Sequence, residues 1–118
     1  MNVGVVGCRE FIDYDYLSRI LDLFVKRFNI TKIISGGARG ADKMAVKYAK
    51  KKGLSWKEHL PNKKHGFPAA LFIRNQLIVN DSEMLIAFWD EKSTGTLDSI
   101  EKARKKKIKV YIINVETS

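Results

Sequence analysis

At 118 residues and a formal net charge of +9, with 45% hydrophobic and 30% charged residues, the chain has the make-up of one soluble globular domain spanning residues 1–118 and is long enough to bury a core without covalent staples. Its single cysteine, Cys8, excludes an internal disulfide and a cysteine-rich zinc site and fits a reducing compartment. No apolar run approaches the ~20 residues of a membrane span, and the opening MNVGVVG lacks the basic region of a signal peptide, so a cytoplasmic location with no membrane partner is expected.

Residues 2–6 (NVGVV) are a short β-rich apolar run ending at Gly7, which reads as a buried strand. Over residues 15–28 the apolar positions Leu17, Ile20, Leu21, Phe24 and Phe28 recur at helical spacing. Residues 31–35 (TKIIS) form a second short strand, closed by Gly36 and Gly37. Ala41, Met44, Ala45, Tyr48 and Ala49 then make one helix stripe, with Lys43, Lys47, Lys50 and Lys51 turned away from it and Gly53 as its stop. A weaker strand over residues 54–60 holds Trp56 and ends at Pro61, and residues 62–66 form a polar loop. The pattern continues with a helix over 67–79, a buried strand over 84–89 (MLIAFW), a basic helix over 97–107 and a last strand over 108–113 (IKVYII). Strands alternating with helices predict an α/β, Rossmann-like three-layer sandwich with a five-stranded, mainly parallel sheet.

The positive charge is unevenly placed. Residues 43–64 carry eight lysines against Glu58 alone, and residues 101–109 carry six basic residues against Glu101. Such a skew suits nucleic acid or a polyphosphate ligand. The lysines fall mostly on outward helix faces with few aromatics interleaved in sequence, which counts against base stacking.

In a parallel sheet of this kind ligands bind beyond the carboxyl ends of the strands. Three of those junctions are unusual here. After the first strand, Gly7 lets the backbone turn, Cys8 follows, and Arg9 offers a fork of donors suited to phosphate. After the second, Ser35, Gly36, Gly37, Ala38, Arg39, Gly40, Ala41 and Asp42 open a helix. Its glycines free backbone amides for an anion, Arg39 is placed to clamp it, and Asp42 either complements the helix dipole or accepts a ribose hydroxyl. After the fourth, residues 90–96 (DEKSTGT) bring the capping residues Ser93 and Thr94, then Gly95 and Thr96, to another helix start. Neither G-x-G-x-x-G nor a P-loop occurs.

Arg74 adds an independent argument. By helical spacing it shares a face with Ala70, Leu71, Leu77 and Ile78, where an arginine is costly unless an anion pairs it. Asp81, Glu83 or a ligand phosphate would serve, and Asn75 follows it in sequence. Trp89 ends a core strand and either stacks on a base or packs. Cys8 has no histidine near it in sequence and reads as a small filler. His59 and His65 have no further ligands at metal spacing, so no metal is expected.

The set GCRE, SGGARGAD, Arg74 with Asn75, and MLIAFWDEKSTGT resembles the SLOG superfamily, named for the Smf/DprA and LOG proteins, and is most similar to its small stand-alone YspA/YpsA-type branch. The likeness runs in order along nearly the whole chain. It implies a Rossmann-like fold and a nucleotide or nucleotide-derived ligand, such as NAD, ADP-ribose or a nucleoside phosphate, bound by a sensor or binding module. By position it implicates Gly7, Arg9, the loop from Gly36 to Asp42, Arg74, Asn75, and Ser93 to Thr96. In that branch the first motif usually reads Gly-Ser-Arg, so Cys8 removes a hydroxyl, and Glu91 stands where a glycine is common, setting an acid beside the phosphate site. The LOG-type phosphoribohydrolases carry Pro-Gly-Gly-x-Gly-Thr-x-x-Glu; here the glutamate position is Ser99 and the Pro-Gly-Gly lead is missing.

Three functional expectations follow. The leading one is a nucleotide-type small molecule bound at the strand-end crevice, with no catalytic residue assigned. The alternatives are N-glycosidic hydrolysis using Asp42, Asp98 or Glu101, and single-stranded nucleic-acid binding of the DprA kind. Phe11, Tyr14, Tyr16 and Phe72 have no assigned partner in the chain, which is compatible with a homodimer face.

Overall fold

The computed structural model describes residues 1–117. Strands β1 (Asn2–Gly7), β2 (Lys32–Ser35), β3 (Ser55–Glu58), β4 (Met84–Trp89) and β5 (Lys109–Asn114) make one five-stranded sheet in the order β3-β2-β1-β4-β5. Every pairing is parallel, so the sheet is parallel throughout rather than mainly so. The connections hold helices α1 (Tyr14–Arg27), α2 (Ala41–Lys52), α3 (Ala69–Asn80) and α4 (Thr94–Lys106), with a 3-10 turn at Lys63–His65.

Alternation along the central strands explains why they read as unbroken apolar runs: each face meets its own helix layer. Met84, Ile86 and Phe88 join Val3, Val5 and Ile33 beneath Leu17 and Leu21 of α1 and Ala45 and Tyr48 of α2. Leu85 and Ala87 join Val6 and Ile34 on the opposite face, under Ile78 and Val79 of α3 and Ile100 and Ala103 of α4. Among the described residues, no helix is long and apolar enough to cross a membrane.

The structure moves several expected boundaries. α4 begins at Thr94 rather than at 97, because Ser93 caps it and its Oγ accepts from the Thr96 amide at 3.4 Å. β3 is confined to Ser55–Glu58, since Leu54 still closes α2 by donating its amide to Ala49 O at 2.9 Å. Trp56 lies on this edge strand and is 43% exposed. The aromatics that lacked a partner in sequence find intrachain neighbours. Phe11 is buried, stacked on Phe88 with centroids 5.5 Å apart, and Tyr16 meets it edge-on at 6.3 Å. Tyr14 carries Lys47 over its ring, and Phe72 carries Lys102.

One topological fact positions everything that follows. From β1 the chain steps outward to β2 and β3, then returns across the sheet to β4 and β5. The segments leaving β1 and β4 therefore diverge above adjacent strand ends, and a crevice opens between them.

Candidate functional site

A cleft of about 510 Å³ occupies that crevice. Its floor is the end of β1, where Gly7 and Cys8 lie and the Cys8 amide donates to Phe88 O of β4 at 3.1 Å. Burial of Phe11 pins the next loop to the core, which leaves Arg9 and Glu10 exposed at the rim. Asp13 then starts α1 by accepting the Tyr16 amide at 3.1 Å.

The loop after β2 touches the first one at Gly40. Its φ is +83°, and a β-carbon there would stand 2.6 Å from the carbonyl oxygens of Cys8 and Arg9, so only glycine permits this contact. Gly40 thus joins two walls of the cleft without lining it. Ser35 does not line it either: it is fully buried, and its hydroxyl donates to Asp42 O at 3.0 Å, fixing the start of α2. Asp42 itself lines the cleft although it is only 5% exposed. Burial pushes its carboxyl up to about 6, against the opposing pull of the Arg74 charge, the Ala38 and Gly36 amides and Arg9.

From α3 come Arg74, 8% exposed, and Asn75, 4% exposed. Arg74 Nε donates to Asn75 Oδ1 at 2.9 Å, and Nη1 donates to Gly36 O at 2.6 Å. Neither carboxylate expected for it is there. Asp81 lies 2.6 Å from His59 Nε2 and 3.1 Å from Lys57 Nζ, while Glu83 accepts the Asn2 amide at 2.9 Å. Among the described residues Arg74 makes no ion pair. Burial, with Arg9 as a further like charge, lowers its affinity for its proton, and Asp42 partly offsets this. Leu77, expected on the same face, is 44% exposed, because α3 is apolar on more sides than the core uses.

The remaining wall is the start of α4. Ser93, Thr94, Gly95 and Thr96 line the cleft, and first-turn amides of a helix have no intrahelical acceptor. The loop before them is held by Asp90, whose Oδ1 accepts the Lys92 and Ser93 amides at 2.9 and 2.8 Å. Asn75 ties this wall to α3, donating Nδ2 to Gly95 O at 3.2 Å and to Asp98 Oδ2 at 3.1 Å. Asp98 is further engaged by Lys102 Nζ at 2.6 Å. Ser99 stands in the lining instead, its hydroxyl directed to Gly95 O at 3.4 Å. Glu91 adopts φ +66°, is exposed, and does not line the cleft, so the acid expected beside the phosphate site points elsewhere.

A neighbouring lobe of about 390 Å³ holds Gly36, Gly37 and Arg39 against Pro61, and shares Arg9, Ala38, Leu71 and Arg74 with the main cleft. Arg39 is engaged at the rim, 2.8 Å from Glu10, with both side chains largely exposed, a pairing of little energetic weight. Trp89 contributes to packing on the α3 and α4 face, and its indole N–H donates to Ser93 O at 3.0 Å. It is not in the lining of either lobe.

Sequence reasoning missed Leu71 as a lining residue, and it placed Glu10, Asp90 and Lys92 in the right junctions without singling them out. Asp90 had a legible signal, since an Asx residue three positions before an N-cap accepts local amides. Leu71 had one too, since it lies on the helix face of Arg74, although the same face also held Leu77, which does not line the cleft.

An all-parallel Rossmann-like sheet with a polar cleft at its switch point, walled by two helix N-termini and a buried arginine, is the class this geometry defines. The chain belongs to the YspA, cpYpsA-related SLOG family, whose profile matches residues 1–66. No curated protein matches it. Among solved structures it is similar to DNA processing protein A (DprA) of Streptococcus pneumoniae, with a TM-score of 0.79 and 18% identity over 98% of this chain and 50% of that one. It is similar also to DNA processing protein A of Helicobacter pylori, a structure described for its single-stranded DNA binding mode, with a TM-score of 0.75 and 19% identity over 98% of this chain and 66% of that one. This chain therefore spans half of the pneumococcal protein and just under two thirds of the other, and the likeness speaks for the fold.

Proposed function

We propose that the cleft binds a nucleotide-type small molecule through its phosphate, and that the protein acts as a binding or sensing module. Arg74 carries this reading: a buried guanidinium without an ion pair among the described residues, anchored by two hydrogen bonds in a cleft wall. A buried charge offset only in part by Asp42 is costly, and an incoming anion relieves the cost. Arg9 at the rim and the N-terminus of α4, with Thr94 and Gly95 in the lining, aim further positive potential at the same volume. Asp42 supplies the complementary acceptor, suited to a ribose hydroxyl.

Thermal shift with AMP, ADP-ribose and NAD tests the reading. A ligand at a hundred times its dissociation constant adds ~2.7 kcal/mol of stability. Arg74→Met should abolish the shift while the variant still unfolds cooperatively. An equal shift in the variant, or none in the unmodified protein with any phosphate-bearing nucleotide, overturns it.

A second reading, N-glycosidic hydrolysis, is favoured by one observation. Of the three carboxylates considered for it, Asp42 lines the cleft, and burial pushes its carboxyl up to about 6, closer to neutral pH than an ordinary carboxyl, the direction a general acid or base needs. Chromatography of NAD or AMP after long incubation with concentrated protein should then reveal free base; intact nucleotide rejects this reading.

A further inference from the structure

Outside the cleft, the outer face of α2 carries a cluster of lysines. Three of its lysines, Lys47, Lys50 and Lys51, make no ion pair among the described residues, whereas Lys43, Lys52 and Lys57 close on Glu58, Asp22 and Asp81. The unpaired three lie over aromatic rings instead. Lys47 Nζ is 4.3 Å and Lys51 Nζ 5.1 Å from the centroid of Tyr14, at the start of α1. Lys50 Nζ is 5.2 Å from the centroid of Trp56, on the free edge strand β3. The surface thus runs aromatic, lysine, aromatic across three elements, from Trp56 over α2 to Tyr14. None of these five residues lines the cleft or its side lobe.

We infer that this strip is a second, separate binding surface, and that its partner is single-stranded nucleic acid. The ammonium groups supply phosphate contacts and the rings supply stacking faces, the two components that sequence-tolerant single-strand binding requires. In the free protein each lysine rests on a ring by cation–π attraction. On binding, the lysine moves to a phosphate and a base takes its place over the ring. An acidic peptide or an anionic lipid surface would use the charge and leave the rings without a role. The interleaving is invisible along the chain because Tyr14, the lysines and Trp56 belong to different elements, which reverses the argument from scarce aromatics.

The test uses the full chain and a fluorescein-labelled 15-mer of deoxythymidine, read by anisotropy. With three phosphate contacts the logarithmic salt slope should be about −2, so affinity should weaken roughly 20-fold between 50 and 200 mM KCl. The triple variant Lys47→Gln, Lys50→Gln, Lys51→Gln should lose at least about tenfold in affinity and most of that slope. Trp56→Ala, at an exposed edge position, should lose about 5- to 100-fold. Arg74→Met should bind the oligonucleotide as the unmodified protein does, and the triple variant should keep any thermal shift with AMP, which separates this surface from the cleft. The inference is overturned if the unmodified protein gives no anisotropy change at 50 mM KCl or if the triple variant binds equally well. Loss of binding in Arg74→Met alone, or equal affinity for a 15-base-pair duplex, overturns it too.

Discussion

The guanidinium of Arg74 and the backbone of Gly36 are fitted to each other: Nη1 donates to Gly36 O at 2.6 Å, and a β-carbon on residue 36 would stand 2.5 Å from that same nitrogen. Thirty-eight residues apart in sequence, they close the gap between the loop after β2 and the inner side of α3. The glycine here serves an approach, since without it the arginine has no room to reach the wall it anchors.

Gly36→Ala should therefore displace Arg74 and cost ~1–3 kcal/mol, the range for forcing one extra carbon into a packed site. Urea unfolding monitored by circular dichroism reads the stability. Nucleotide binding should fall in parallel, because the displaced guanidinium no longer faces the cleft; a stable Gly36→Ala protein with unaltered affinity would show that Arg74 reaches the ligand from elsewhere.

Asp42 gives a pH dependence of unusual sign. Its carboxyl is pushed up to about 6 in the folded protein, above the ordinary 3.8. Between those values the native state holds more protons than the unfolded chain, so the stability contributed at this site falls as pH rises from about 4 to about 6 and is level above. Asp81 and Asp90 are shifted the other way, Asp81 by hydrogen bonding from His59 and Asp90 by the Ser93 and Lys92 amides acting against burial. Their contributions are lost as pH falls below the ordinary carboxylate value. The stability these carboxyls contribute should peak where the two windows meet, at about pH 4. Asn in place of Asp42 should flatten the upper limb and leave the lower one. A pH series of urea melts checks both limbs.

Glu91 and Lys107 share a left-handed backbone, each with φ +66°. A side chain with a β-carbon costs ~1 kcal/mol or more there, and glycine is relieved of it. Glu91→Gly and Lys107→Gly should each stabilise the fold by up to about 1 kcal/mol, Lys107→Gly as a C-cap for α4. Raised urea midpoints with unchanged m-values would establish this; a lowered midpoint for Lys107→Gly would mean that its side chain contributes more than its backbone costs.

The layer order was legible in the sequence because a sheet buried on both faces writes itself as short apolar runs separated by helical stripes, with MLIAFW reading as a buried strand. The strand-end position of the cleft followed from that order, and so did Gly7, Arg9, Asp42 and the residues of the α4 start, while Arg74 was marked by its place on an apolar helix face and Asn75 by its position beside it. What stayed hidden depended on distance in space rather than in sequence. The partner of Arg74 is a carbonyl from another element, not the nearby Asp81, which His59 and Lys57 already hold. Ser35, Gly40 and Trp89 sit at the right places in the chain, yet their side chains or backbones are spent on joining the walls, as the Trp89 bond to Ser93 O illustrates. α3 is apolar nearly all round, so its periodicity gave no way to tell buried Ile78 from exposed Leu77.

Cys8 has a practical consequence. It is the chain's single thiol, it lies in the lining of the cleft, and it is 2% exposed, with burial and the nearby Asp90 raising its proton affinity. A thiolate-directed alkylating reagent can therefore enter only when the walls part, and it can report from only one address. The natural sequence thus carries its own kinetic clock for the breathing of the cleft, readable by mass spectrometry without any label being introduced.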